Sequence, residues 1–256
     1  MLFHETIFGP IHSRRLGSSL GINLLPTNGK ICSFDCIYCE CGFNSDNTQL
    51  CRLPTPEEVH ELLEQKLQAL QDASEHIDVL TFAGNGEPSL HPNFKQIIED
   101  TIGLRNRYYP KAKVSVLSNA TCIQQESVYQ ALQLVDNNIL KLDSAVEDTV
   151  ALINQPNDRF FSIEKTIQSL ASFNGHVIIQ TLFFSGHYNG HFIDNTSRSE
   201  VDAWLKALHV IRPKQVMIYS LDRATPAQNL IKASPETLTL IAEKVKALGI
   251  ETLLTL

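Results

Sequence analysis

Four cysteines, Cys32, Cys36, Cys39 and Cys41, fall within the ten residues CSFDCIYCEC, and only two others, Cys51 and Cys122, lie elsewhere. Thiols packed that densely suit disulfides, a zinc ion or an iron–sulfur cluster. The chain has 256 residues, a length that buries roughly three quarters of the unfolded surface, so disulfide staples are not needed for stability. In a reducing compartment, clustered cysteines are more often metal ligands or catalytic groups. Structural zinc normally draws on two ligand pairs with a longer spacer, and no second pair follows here. The spacing Cys32-x3-Cys36-x2-Cys39 puts three thiolates on one loop. A cubane cluster takes four, so three would leave one iron open to a small molecule. The open cluster is the favoured reading and zinc the alternative. Cys41 reads as a spectator, a substrate-facing thiol or a displaceable fourth ligand.

A second stretch, GNGEP, spans Gly84, Asn85, Gly86, Glu87 and Pro88. Gly84 and Gly86 lack Cβ and let backbone carbonyls approach a ligand closely, and Glu87 supplies a charge suited to an ammonium group. The plain alternative is a tight strand-to-helix turn.

The elements that position these groups follow a β-then-α rhythm, the signal of parallel βαβ construction. GINLLP reads as a strand leading into the cysteine loop. Thr55, Pro56 and Glu58 then open a helix with a capping box, carrying Val59, Leu62, Leu63, Leu67 and Leu70 at helical spacing. Strands follow at HIDVLTFAG, KVSVLSNA, NILKLDS, HVIIQTLFF and QVMIYSLD. Helices are expected near 93–109, 124–134, 162–173 and 197–211, with a last one opening at Ser234-Pro235. Six such units in one chain fit an incomplete parallel (β/α)6 TIM-like barrel. Residues 1–256 read as one domain, with 1–18 as an N-terminal extension or lid.

In parallel α/β folds the chemistry gathers at the C-terminal ends of the strands. The cysteine loop and GNGEP hold such positions, as do Ser118, Asn119, Asp143, Ser144 and the YSLDR segment with Tyr219, Asp222 and Arg223. Gln180 lies within the fifth strand. Lys141 and Asp143 are two residues apart, so on a strand they share a side and could pair toward the interior or toward solvent. His187 and His191 stand four apart in GHYNGH, and as a metal pair they would need a helix and a third ligand. Arg14 and Arg15 suit a carboxylate or phosphate or an ordinary surface ion pair.

The formal net charge is −7, which weighs against a large nucleic-acid substrate. No N-terminal pattern reads as a signal peptide, and no apolar run approaches a membrane span. The expectation is a cytoplasmic protein with no membrane partner.

Cys32-x3-Cys36-Ile37-Tyr38-Cys39 resembles the cysteine motif of the radical S-adenosylmethionine (radical SAM) superfamily, including the aromatic residue before the last cysteine. GNGEP resembles its glycine-rich segment that binds the SAM amino group. Together with FGPIHSRRLGSSLGIN, KLDS, QTLFFSG and YSLDRATP, they look like its Fe–S oxidoreductase branch, related to wyosine-type tRNA-modifying enzymes. The resemblance covers nearly the whole chain. It implies that Cys32, Cys36 and Cys39 hold a [4Fe–4S] cluster whose open iron chelates SAM. It also implies reductive cleavage of SAM to a 5′-deoxyadenosyl radical, with a flavodoxin- or ferredoxin-type reductant. Tyr38 would lie against the adenine, with Gly84, Asn85, Gly86 and Glu87 at the amino group. By position Ser118, Asn119, Asp143 and Gln180 would reach the ribose and carboxylate, or serve as turns and caps. The substrate stays unidentified. Alternatives are a wyosine-type tRNA-modifying enzyme, an activase of a glycyl-radical enzyme and, from another class, a non-catalytic zinc-binding protein.

Overall fold

A computed structural model describes residues 2–44 and 50–256. Its contacts divide the chain into two compact units. The first comprises Met1–Cys32, Asn44–Ser118 and Cys122–Asn138, the second Ser33–Phe43, Asn119–Thr121 and Ile139–Leu256.

In the first unit, β1 (Ile7–Ser13) pairs antiparallel with β2 (Gly17–Ile22), and β2 pairs parallel with β3 (Val79–Phe82). Strand β3 in turn pairs parallel with β4 (Lys113–Ser118). Leu20, Ile22, Leu80, Phe82, Val114 and Val116 are fully buried, which is why these segments read as short continuous apolar runs. Helix α1 (Pro56–Asp72) packs on α2 (Phe94–Tyr108), and α2 on α3 (Glu126–Leu134). The expected capping box is present: the Glu58 amide donates to Thr55 Oγ1 at 3.3 Å, and the Thr55 amide donates to Glu58 Oε2 at 2.8 Å. Val59, Leu63, Leu67 and Leu70 form the buried stripe. Leu62, expected with them, sits on the flank of that stripe and is 44% exposed.

The first strand is displaced from its expected place. GINLLP contributes only Gly21 and Ile22 to β2. Asn23 leaves the ladder because its side chain bonds both the amide and the carbonyl of Leu25, a local bond that competes with sheet pairing. Arg14 and Arg15 lie in the turn between β1 and β2.

The second unit takes in the end of β5 (Asn137–Lys141), β6 (Ile178–Tyr188), β8 (Gln215–Ser220) and β10 (Glu251–Leu254), paired in parallel in that order. The far half of β6 also pairs antiparallel with β7 (His191–Asp194) and β9 (Leu230–Lys232). Helices α4 (Glu147–Ile153), α5 (Ile163–Ala171), α6 (Arg198–Ile211) and α7 (Pro235–Ala247) complete it. Phe183 and Trp204 meet edge to face at 5.2 Å in its core. The Trp204 indole N–H donates to Leu142 O and to Thr181 Oγ1, both at 3.1 Å, so α6 holds the end of β5 in place.

Candidate metal centre

In the second unit the cysteine loop is held by the five residues that leave α4. The Asp35 amide donates to the carbonyls of Asn154 (2.9 Å) and Gln155 (3.1 Å), and the Ile37 amide to Ile153 O (3.0 Å). In the other direction, the Asn157 amide donates to Ser33 O at 2.9 Å and Gln155 Nε2 to Asp35 O at 3.2 Å. The chain runs as a rail here because Pro156 disfavours helical backbone at the residue before it. Gln155 takes a left-handed φ of 45°. The rail fixes the main chain on both sides of Cys36.

The side chains around Cys36 form one network. Asn154 Nδ2 donates to Cys36 Sγ at 3.3 Å and to Asp143 Oδ2 at 2.8 Å. Asp143 has no exposed side-chain surface, and the Lys141 ammonium stands 3.4 Å from its Oδ2. The pairing inferred from their two-residue spacing is thus present, and it is buried. Asp143 Oδ1 accepts the Leu182 amide at 3.0 Å, and Oδ2 accepts the Tyr38 hydroxyl. Lys141 Nζ donates to that hydroxyl at 2.5 Å and lies 4.9 Å from the centre of the Tyr38 ring. Tyr38 therefore enters the network through its hydroxyl, while its ring meets Phe184 edge-on at 5.7 Å.

Burial pushes the Cys36 thiol up to about 11, against the opposing pull of Lys141. Burial and the adjacent Asp143 carboxylate hold the Tyr38 phenol well above its ordinary value. For Lys141, burial works to lower the value, and the Asp143 carboxylate overrides it, leaving the ammonium above the ordinary lysine range. The Asp143 carboxylate beside it thus favours the charged form of this largely covered lysine. A metal bound at Cys36 would displace the thiol proton, since thiolate is the ligand form.

Asn119, also in this unit, closes a turn. Its Oδ1 accepts the Thr121 amide and hydroxyl at 3.0 and 2.8 Å, and its Nδ2 donates to Ser33 Oγ at 2.9 Å. Gln180 is buried in β6, in register with Lys141 on β5 and Met217 on β8. Ser144 accepts the Val146 amide and donates to Glu200, closing the turn that leads into α4. Arg223 pairs with Glu40 at 2.6 Å on the surface. His187 and His191 lie on the β6–β7 hairpin, in adjacent rows opposite Phe192 and Tyr188 respectively. They consequently face opposite sides of the ribbon, which excludes the metal pair considered from their spacing.

In the first unit the glycine segment follows β3 directly. Ile31, the residue before Cys32, is tied to it: the Ile31 amide donates to Asn85 O and the Glu87 amide to Ile31 O, both at 3.0 Å. Gly86 has a φ of 129°, and a Cβ there would lie 1.8 Å from Ile31 O, while one on Gly84 would meet Asn23 Oδ1 at 2.4 Å. Gly86 is thus required by the close passage of the Ile31 backbone, and Gly84 by the Asn23 side chain packed against it. The Asn85 side chain accepts the Phe3 amide and donates to the Phe3 and Pro26 carbonyls, each at 2.8 Å. Glu87 is buried and accepts the amide and hydroxyl of Ser89, capping the short turn Pro88–Leu90. Ser118 is buried at the end of β4.

No disulfide joins any of the six cysteines. Among the described residues no three His, Cys, Asp or Glu side chains already stand at metal-ligand separation, so the ligand set rests on the spacing of Cys32, Cys36 and Cys39. The donor chemistry fits an iron–sulfur cluster: the ligands would all be thiolates, and an amide N–H already addresses one sulfur. Asn154, and Asn195, whose Nδ2 donates to Asp143 O at 2.9 Å and Leu182 O at 2.8 Å, were not legible from spacing. Asn154 lies at the end of a helix and not of a strand, and its one sequence signal is the helix-ending NQP.

No family model matches the chain. Among curated proteins, it is 31% identical over 224 residues to a GTPase Obg of Brachyspira hyodysenteriae, covering 86% of this chain and 30% of that protein. A UPF0026 protein of Methanocaldococcus jannaschii is 33% identical over 180 residues (68% of this chain, 53% of that protein). A UPF0026 protein of Helicobacter pylori is 28% identical over 271 residues (98% and 82%). The chain thus spans 30% of the first relative and 53% of the second.

Among solved structures, a radical SAM methyltransferase from Sphaerobacter thermophilus matches with a TM-score of 0.69 at 15% identity, over 93% of this chain and 65% of that one. Streptococcus suis SuiB bound to S-adenosylmethionine matches at 0.64 and 12% identity (92% and 49%). TYW1 with a lysine-pyruvate adduct matches at 0.61 and 12% identity (90% and 73%). The chain has the fold of the radical SAM enzymes, a mostly parallel α/β incomplete barrel, which bears out the expected fold class and the resemblance at the level of fold.

Proposed function

We propose that this chain is a radical SAM enzyme. The observation that carries the reading is the motif Cys32-x3-Cys36-Ile37-Tyr38-Cys39, its cysteines outside any disulfide, in a chain with this fold. Cys32, Cys36 and Cys39 would hold a [4Fe–4S] cluster. The main chain of Gly84 to Gly86 would approach the SAM amino group, because the side chains of Asn85 and Glu87 are engaged by the protein. Tyr38, Ser118, Asn119, Asp143 and Gln180 are the further SAM-side candidates. Of these, Tyr38 and Asp143 act chiefly by fixing the cysteine loop and neutralising Lys141.

Once bound, the cluster and SAM would supply one-electron reductive cleavage to a 5′-deoxyadenosyl radical that takes a hydrogen atom from substrate. The protein's own contribution is to present the thiols on a rigid loop and to keep the surrounding charges paired. No helix among the described residues is long and apolar enough to cross a membrane, and a cytoplasmic enzyme served by a flavodoxin- or ferredoxin-type reductant is the setting we propose.

Metal analysis tests the ligand assignment. After anaerobic reconstitution, wild type should carry about four irons with matching sulfide, and Cys32→Ala, Cys36→Ala and Cys39→Ala should each lose them. Cys51→Ala, whose residue is exposed, should retain them. Tightly held zinc in place of iron would contradict the proposal and favour the structural-zinc alternative.

A further inference from the structure

We infer that Asn154 is a positioning residue that sets the electronic properties of the metal centre through Cys36. This rests on the proposed reading of the cysteines. Asn154 joins the rail that fixes the loop to the sulfur itself: its carbonyl accepts the Asp35 amide at 2.9 Å, while its Nδ2 donates to Cys36 Sγ at 3.3 Å. The same nitrogen donates to Asp143 Oδ2 at 2.8 Å, so both of its hydrogens are assigned. With Asn154 2% exposed, water cannot replace the bond to sulfur.

The Asp143 contact fixes which end of the amide faces the cysteine. A carboxylate accepts only, so the NH2 group must point toward Asp143, and therefore also toward Cys36. Asp143 is oriented in turn by the Leu182 amide at 3.0 Å and by Lys141 at 3.4 Å. The chain Leu182–Asp143–Asn154–Cys36 thus delivers a donor to one sulfur from the strand β6. Hydrogen bonds to the sulfurs are among the factors that set the potential of an iron–sulfur cluster. A donor on a thiolate stabilises the more negative, reduced state, so removing it lowers the midpoint potential.

The test is the midpoint potential of the reconstituted cluster in wild type, Asn154→Leu and Gln155→Ala. Leucine matches asparagine in size and has no donor. Gln155→Ala removes a rail bond to Asp35 O without touching the sulfur. The expected result is a shift to lower potential in Asn154→Leu and none in Gln155→Ala, with iron content equal in all three. An unmoved potential in Asn154→Leu, or an equal shift in both variants, would overturn the inference. Where leucine prevents cluster assembly, Asn154→Ala is measured instead. If neither variant of a folded chain holds the cluster, Asn154 serves assembly and the tuning role is refuted. Failure of wild type itself to bind a cluster would overturn the underlying reading as well, and that outcome is seen separately in the wild-type iron content.

Discussion

Asp143 receives the Leu182 amide, the Asn154 amide group, the Tyr38 hydroxyl and the Lys141 ammonium on one buried carboxylate. Removing it would leave the Lys141 charge buried without its counter-charge. Asp143→Ala should therefore cost about 3–5 kcal/mol of stability, read from denaturant melts. The double variant Lys141→Met with Asp143→Leu should recover part of that loss, since replacing both charges removes the unpaired one. A second carboxylate gives a pH signature. Burial raises the Asp136 carboxyl, but the Val114 amide and the Arg105 guanidinium outweigh it and hold the group below the usual range. A depressed carboxyl stabilises the fold above its unfolded value, near 4, and loses that contribution as pH falls through the folded value. The stability gap between wild type and Asp136→Asn should accordingly be largest near neutral pH and close below about pH 4. A gap independent of pH would contradict the assignment. At this scale the sequence revealed residue types and the Lys141–Asp143 spacing. It could not reveal that Asn85 and Glu87 turn toward the protein, because their partners, Phe3, Pro26 and Ser89, are chosen by the fold.

Among the elements, α1 was legible almost to the residue because Thr55, Pro56 and Glu58 form a complete start signal. Thr55→Ala should lower stability by about 1 kcal/mol, seen as a lower midpoint in urea. The glycine segment is less forgiving. Gly86→Ala would force a Cβ to within 1.8 Å of Ile31 O at a φ of 129°. It should destabilise by more than about 1 kcal/mol and weaken SAM binding together with it. The strands β3, β4, β5, β6 and β8 were legible as apolar runs. Strand β1 was not, since it carries Pro10 and its middle is exposed or half-buried. Strands β7, β9 and β10 have four, three and four residues, too few for a period to register. The turn between β6 and β7 did carry a signal. Asn189 and Gly190 both have positive φ, as an Asn-Gly hairpin requires, and this outweighs the histidine spacing around it.

For the whole molecule, a net charge of −7 argues against tRNA as the substrate, since phosphate binding draws on lysine and arginine and falls steeply with salt. Binding to bulk tRNA should be weak at physiological salt. Tight association with a steep salt slope would instead favour the tRNA-modifying alternative. SAM cleavage is the deciding measurement of radical chemistry in this chain. The reconstituted, reduced chain is incubated anaerobically with SAM, and 5′-deoxyadenosine is quantified beside Cys36→Ala. Wild type should yield 5′-deoxyadenosine and the variant none. A wild-type chain that holds zinc or no cluster, or a Cys36→Ala chain that forms the product equally well, would contradict the radical SAM reading.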